Sequence, residues 1–146
     1  MLEWNTVEIV DPILRVKGIK DLADLKDGKE PEKFLQICSE IASQMIDALM
    51  KEPERILPEG TLKAIENDLL KVTRSLVKLR RTPLGNIYKL SELEPIIDIA
   101  RKRISGAIDE SKKKVLIGRR VNYIQQCRKA LEDMLEKIED FSALES

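Results

Sequence analysis

The sequence predicts a mainly α fold: a compact bundle of four to five helices with a short N-terminal extended or β-hairpin arm. Three observations lead there. Apolar residues in four stretches recur at spacings of three and four, which draws one apolar face on each helix. Proline and glycine fall between those stretches, where they break helices and favour turns. The 146 residues are 36% charged and only 3% aromatic, so the chain supports one domain with an aliphatic core. Within the single domain 1–146, residues 1–30 read as the arm with a short helix, and 31–141 as the bundle.

Residues 1–17 alternate loosely between apolar and polar, with Val7 and Ile9, then Asp11-Pro12, then Leu14 and Val16. A strand pair or extended arm fits that pattern. Trp4 reads as packing for the arm, or else as a partner contact. Residues 19–27 form a short helix with Ile19, Leu22 and Leu25 inward, ended by Gly28.

The first long helix starts at Pro31, because proline suits a first turn that needs no N–H from it. Phe34, Ile37, Cys38, Ile41, Met45 and Leu49 mark its inward face, and Pro53 stops it. The second helix has the most regular pattern. Leu62, Ile65, Leu69, Val72, Leu76 and Leu79 step by three and four like a coiled-coil seam. Thr61 is the expected N-cap. Thr82-Pro83-Leu84-Gly85-Asn86 breaks the pattern into a turn.

A third helix begins at Ser91, whose spacing to Glu94 is that of a capping box, or at Glu94 with Pro95 in the first turn. Ile96, Ile97, Ala100 and Ile104 face inward, and Gly106 weakens the end. The last helix carries Val121, Ile124, Cys127, Leu131, Met134, Ile138 and Phe141 inward. Its later turns hold Glu132, Asp133, Glu136, Glu139 and Asp140. Acids at a helix C-terminus oppose the macrodipole, so they serve solubility or a partner.

Net charge is zero, yet its distribution is uneven. Residues 71–129 hold 16 Lys/Arg against 5 Asp/Glu, or +11, which leaves 10 against 21, or −11, for the rest. A basic middle is the footprint of a surface that meets phosphate or an acidic partner. One part of it is a stripe, Lys71, Arg74, Lys78 and Arg81. Each lies two residues after a seam position, a rotation of about 200°, so the stripe faces outward over roughly 15 Å. A solvated face that relieves the helix dipole is the competing reading. The other part is a cluster, Arg101 with Lys102 and Arg103, then Lys112, Lys113 and Lys114, then Arg119 and Arg120. Gly106 and Gly118 flank its middle, so it reads as a flexible basic loop able to follow a phosphate backbone. A solvated connector, or an internal partner for the acidic helices, is the alternative. Tyr88 and Tyr123 are its only aromatics, too few for base-stacking readout.

Catalytic signals are poor. The chain has no histidine, which removes the commonest general base and transition-metal ligand. No glycine-rich phosphate loop, CxxC or HExxH is present. Cys38 and Cys127 read as buried free thiols, with a long-loop disulfide as the alternative in an oxidising compartment or an extreme thermophile. Abundant Glu, Lys and Ile with few Gln resemble a heat-adapted proteome. The N-terminus lacks a basic start and an apolar stretch, and no run is long enough to span a membrane. A cytoplasmic protein without metal or cofactor is expected.

A Phe-containing helix from Phe34, then a long helix from Leu62 ending in Leu79-Arg80-Arg81, then Ile87-Tyr88-Lys89-Leu90, resembles the helical domain of GINS subunits. The helix at Val121-Asn122-Tyr123-Ile124 falls where that family places its last helix. The similarity covers about half the chain, is interrupted at residues 82–86 and lacks that family's small C-terminal β domain. Small helical subunits of CRISPR effector complexes look comparably similar. Either resemblance implies a non-catalytic subunit of a nucleic-acid-processing complex, which touches phosphate backbone through the basic middle and other protein subunits through helical faces. The alternative is an interaction or scaffold protein that docks an acidic partner, or a further copy of itself, without nucleic acid.

Overall fold

In the computed structural model, the four long apolar patterns become four long helices. The structure describes residues 8–26, 29, 31–50, 57, 59–113 and 117–145, without the side chains of 112, 113, 117 and 142–145. In chain order the elements are α1 (Val10–Val16), a 3-10 turn (Leu22–Leu25), α2 (Pro31–Met50), α3 (Glu59–Leu79), α4 (Pro83–Tyr88), a second 3-10 turn (Leu90–Glu92), α5 (Glu94–Lys113) and α6 (Ile117–Glu145). No strand occurs among the described residues. The mainly α bundle therefore stands as the fold class.

Packing follows the apolar faces. Helix α5 lies between α3 and α6, and α6 packs on α2. The ring is completed by the N-terminal segment, since α1 and the first 3-10 turn each lie against both α2 and α3. Ile9, Val10, Ile13, Leu14, Leu22 and Leu25 are all buried there. Polar contacts fix the segment from both sides. Lys17 Nζ lies 3.4 Å from Glu40 of α2, and Lys71 Nζ of α3 lies 2.9 Å from Asp11 Oδ2. The Ile9 N–H donates to Asp68 Oδ2 of α3 at 3.0 Å, so a distant carboxylate supplies the cap that α1 lacks locally. Burial pushes the Asp68 carboxyl up, and the amide bonds and Lys71 pull against it.

Helix α1 corrects the extended or hairpin reading over residues 10–16. Pro12 sits in the first helical turn, where a missing N–H costs nothing. Val10, Ile13 and Leu14 then carry helical spacing. Trp4, Val7 and Gly28 lie outside the described residues, as does Pro53. The short helix expected over 19–27 is a single 3-10 turn, capped by a reciprocal pair: the Ala23 N–H donates to Asp21 Oδ1 and the Asp21 N–H to Asp24 Oδ2.

The seam of α3 is core throughout: Leu69 is 1% and Leu76 0% exposed. The helix starts two residues before Thr61, which lies buried in its first turn. At the break, Thr82 Oγ1 donates to Leu79 O at 2.6 Å and accepts from the Gly85 N–H at 3.4 Å, joining α3 to α4. A Cβ on Gly85 would stand 2.4 Å from Leu79 O, so only glycine fits this corner. Tyr88 of α4 then plugs one end of the bundle, its ring stacked 6.0 Å from Phe34 and tilted against Phe141 at 5.7 Å.

Helix α5 starts at Glu94 with Pro95 in its first turn, the second of the two starts expected. It does not weaken at Gly106 but runs on to Lys113, with Ala107 and Ile108 buried. A glycine inside a helix costs about 1 kcal/mol against alanine. Here its missing side chain makes room for Tyr123, whose ring would lie 2.9 Å from a Cβ at that position. Cys38 and Cys127 are free and buried, and burial pushes both thiols up to about 12.

Candidate nucleic-acid interface

Because the α3 seam is buried, the residues two positions on must face solvent, and they do. Arg74, Lys78 and Arg81 are exposed, and none has a carboxylate within ion-pair distance among the described residues. Lys71 differs. Its ammonium is held by Asp11, whose hydrogen bond raises the lysine's pKa. Among the described residues, the stripe predicted from spacing is therefore three unpaired cations and one paired one.

Two surface grooves continue the stripe. The first, about 390 Å³, lies between α3 and the N-terminal segment, with Lys20 on one wall and Lys71, Arg74, Ser75 and Lys78 on the other. Asp21 also lines it, but its Oδ1 accepts from Ser75 Oγ at 3.0 Å. The second, about 410 Å³, lies at the α3–α4 corner, with Arg81, Asn86 and Lys89 along it. Lys89 holds a left-handed backbone (φ 49°), which turns the chain out of α4. Arg80 faces the same groove but spends its charge on Glu94, 3.4 Å away. Lys78 in one groove and Arg81 in the other are one helical turn apart, so the cations form a continuous track.

The second basic cluster does not join this track. Only residues 114–116 separate α5 from α6, so the expected flexible stretch between Gly106 and Gly118 is mostly helix. Arg101 Nη2 lies 3.5 Å from Asp98 Oδ1, and Lys102 Nζ 3.2 Å from Asp98 Oδ2. Arg119 lies 4.0 Å from the buried Glu110. Arg120 is half-buried and donates through Nη2 to Leu57 O, which ties the start of α6 to the segment before α3. Burial lowers its pKa, and its Nε has no partner among the described residues. Arg103 is exposed and unpaired among the described residues. The side chains of Lys112 and Lys113, and all of Lys114, lie outside the described residues.

Arg101 and Lys102 share a groove with Glu66, Asn67 and Leu70 of α3, whereas Arg119 and Arg120 sit at the other end of the bundle from the α3–α4 corner. Arg80–Glu94 marks the end where α3 finishes and α5 begins; Arg120–Leu57 marks the end where α3 begins. Helix α3 has 21 residues, so these ends are roughly 30 Å apart.

Sequence reasoning missed Lys20, Lys89 and the grip of Asp11 on Lys71. Lys20 and Asp11 reach α3 only because the segment packs there. The helical spacing of Val10, Ile13 and Leu14 was the available signal. Tyr88, weighed as a stacking aromatic, is 2% exposed and belongs to the core. Among the described residues no three His, Cys, Asp or Glu side chains group as metal ligands, and no helix is long and apolar enough to cross a membrane. No protein-family model, curated protein or solved structure matches the chain.

Proposed function

We propose that this chain is a non-catalytic helical subunit of a nucleic-acid-processing complex, of the DNA-replication or CRISPR type, that binds phosphate backbone along the outer face of α3. The observation that carries the reading is the set Arg74, Lys78 and Arg81: exposed, about one turn apart and without carboxylate partners among the described residues. Lys20 adds a cation on the opposite wall of one groove, and Lys89 adds one in the other groove beside Arg81. Cations not neutralised within the fold are the ones available to displace counterions from a polynucleotide. Burial of Tyr88 favours backbone contact over base stacking. The resemblance of residues 34–90 to the GINS helical domain points the same way. On this reading the protein acts in the cytoplasm, needs no cofactor and meets its partner subunits through helical faces.

A second reading is favoured by one observation. Glu132, Asp133, Glu136, Glu139 and Asp140 are all exposed on α6. That acidic face complements the α3 stripe, so a further copy of the chain, or another acidic protein, could occupy the stripe instead. A salt titration with labelled DNA and RNA separates the two. Nucleic-acid binding falls steeply as salt rises, whereas self-association gives a mass that grows with protein concentration and needs no nucleic acid.

A further inference from the structure

The groove between the N-terminal segment and α3 is lined by two carboxylates, Asp11 and Asp21, of which Asp11 is the one paired with a cation of the stripe. Asp21 is structural: it caps the 3-10 turn and accepts from Ser75. Asp11 is different. Its single described polar contact is with Lys71 Nζ, at 2.9 Å, and its side chain is 47% exposed against 39% for the lysine. The pair therefore sits at the groove's open side, with Arg74, Lys78 and Lys20 beside it. An exposed pair of this kind contributes little to folding and is readily exchanged. An ammonium has three donors, so Lys71 can also turn to a second anion.

We propose that Asp11 is an internal phosphate mimic: its carboxylate occupies, on Lys71, the place that a backbone phosphate takes when nucleic acid enters the groove, where Lys20, Arg74 and Lys78 hold the same strand. This rests on the reading of α3 as the phosphate-facing helix. It adds the ligand group, the wall supplied by Lys20 and a built-in competitor that limits affinity.

The test measures binding of a labelled oligonucleotide against salt for the whole chain and three variants. Asp11→Asn removes the competitor for Lys71, so affinity rises, while the number of phosphate contacts, and with it the salt slope, stays nearly the same. Glu139→Gln removes the same charge from α6, which packs chiefly on α5 and α2, and is expected to change affinity by much less. Adding Lys71→Gln to Asp11→Asn abolishes the gain. A gain equal to that of Glu139→Gln, or one that survives loss of Lys71, overturns the mimic while leaving the α3 interface intact. Absence of binding by both the unmodified chain and Asp11→Asn overturns the interface itself, and the mimic with it.

Discussion

The outer face of α3 and the stretch from α5 into α6 are both basic in sequence, yet apart from the exposed Arg103 the described cations of the second are paired and those of the first are mostly not. Arg74 and Lys78 on α3, and Arg81 in the turn that follows it, stand in solvent without carboxylates among the described residues. At the corner and along α5, Arg101 and Lys102 share Asp98, Arg119 approaches buried Glu110, and Arg120 is drawn inward to a backbone carbonyl. Cations with internal partners stabilise or orient the fold; those without are free for a ligand. Local charge density alone does not separate the two uses. The fold separates them by what it places opposite each side chain.

The largest effect expected comes from the support beneath the α3 stripe. Leu76 is fully buried, so Leu76→Ala is expected to cost about 2–5 kcal/mol in denaturant unfolding. A cost near zero would mean that the stripe's register is wrong. Next is the contrast between two arginines. Arg120→Gln removes a charged donor from Leu57 O and is expected to cost about 1–3 kcal/mol. Arg74→Gln, with no such partner, is expected to stay within about 0.5 kcal/mol. Equal costs would erase the distinction between the two regions. The smallest effect is in alkali. Folding raises the Lys71 pKa, so the Asp11 pair stabilises the native state fully below the ordinary lysine range. That contribution is lost as pH rises through the raised value. The pair is largely exposed, so the loss is at most about 1 kcal/mol, and Lys71→Gln should remove it from the pH profile of stability.

Much of this was legible in the sequence because periodicity reports burial directly. The seam from Leu62 to Leu79 implied the outward stripe, and every seam residue is buried. The faces of α2 and α6 followed from the same signal, except that Val121, expected inward, is only half-buried and stands outside the core. What failed was punctuation. The extended reading of residues 10–16 gives way to a helix with Pro12 in its first turn, and Gly106, expected to weaken the end of α5, admits a tyrosine ring instead. Both errors have one cause: residue type gives a local preference, and tertiary packing decides whether it is expressed. Pairing was illegible for a similar reason. Asp98 and Arg101 are three residues apart, a spacing that can be read from the chain, whereas Leu57 with Arg120 and Asp11 with Lys71 join segments some sixty residues apart. Lys20 could enter the site only once the N-terminal segment was known to lie on α3.

The most direct test compares two sets of charge removals in a salt titration of oligonucleotide binding. The combined Arg74→Gln, Lys78→Gln and Arg81→Gln protein is expected to bind weakly at low salt. Its slope should be flatter by about 2–3 than that of the unmodified chain, three phosphate contacts at about 0.7–0.9 each. Replacing Arg101 and Arg119 with Gln should leave affinity and slope nearly unchanged. Equal losses from the two sets, or no binding by the unmodified chain to DNA or RNA at low salt, would contradict the assignment of α3 as the interface.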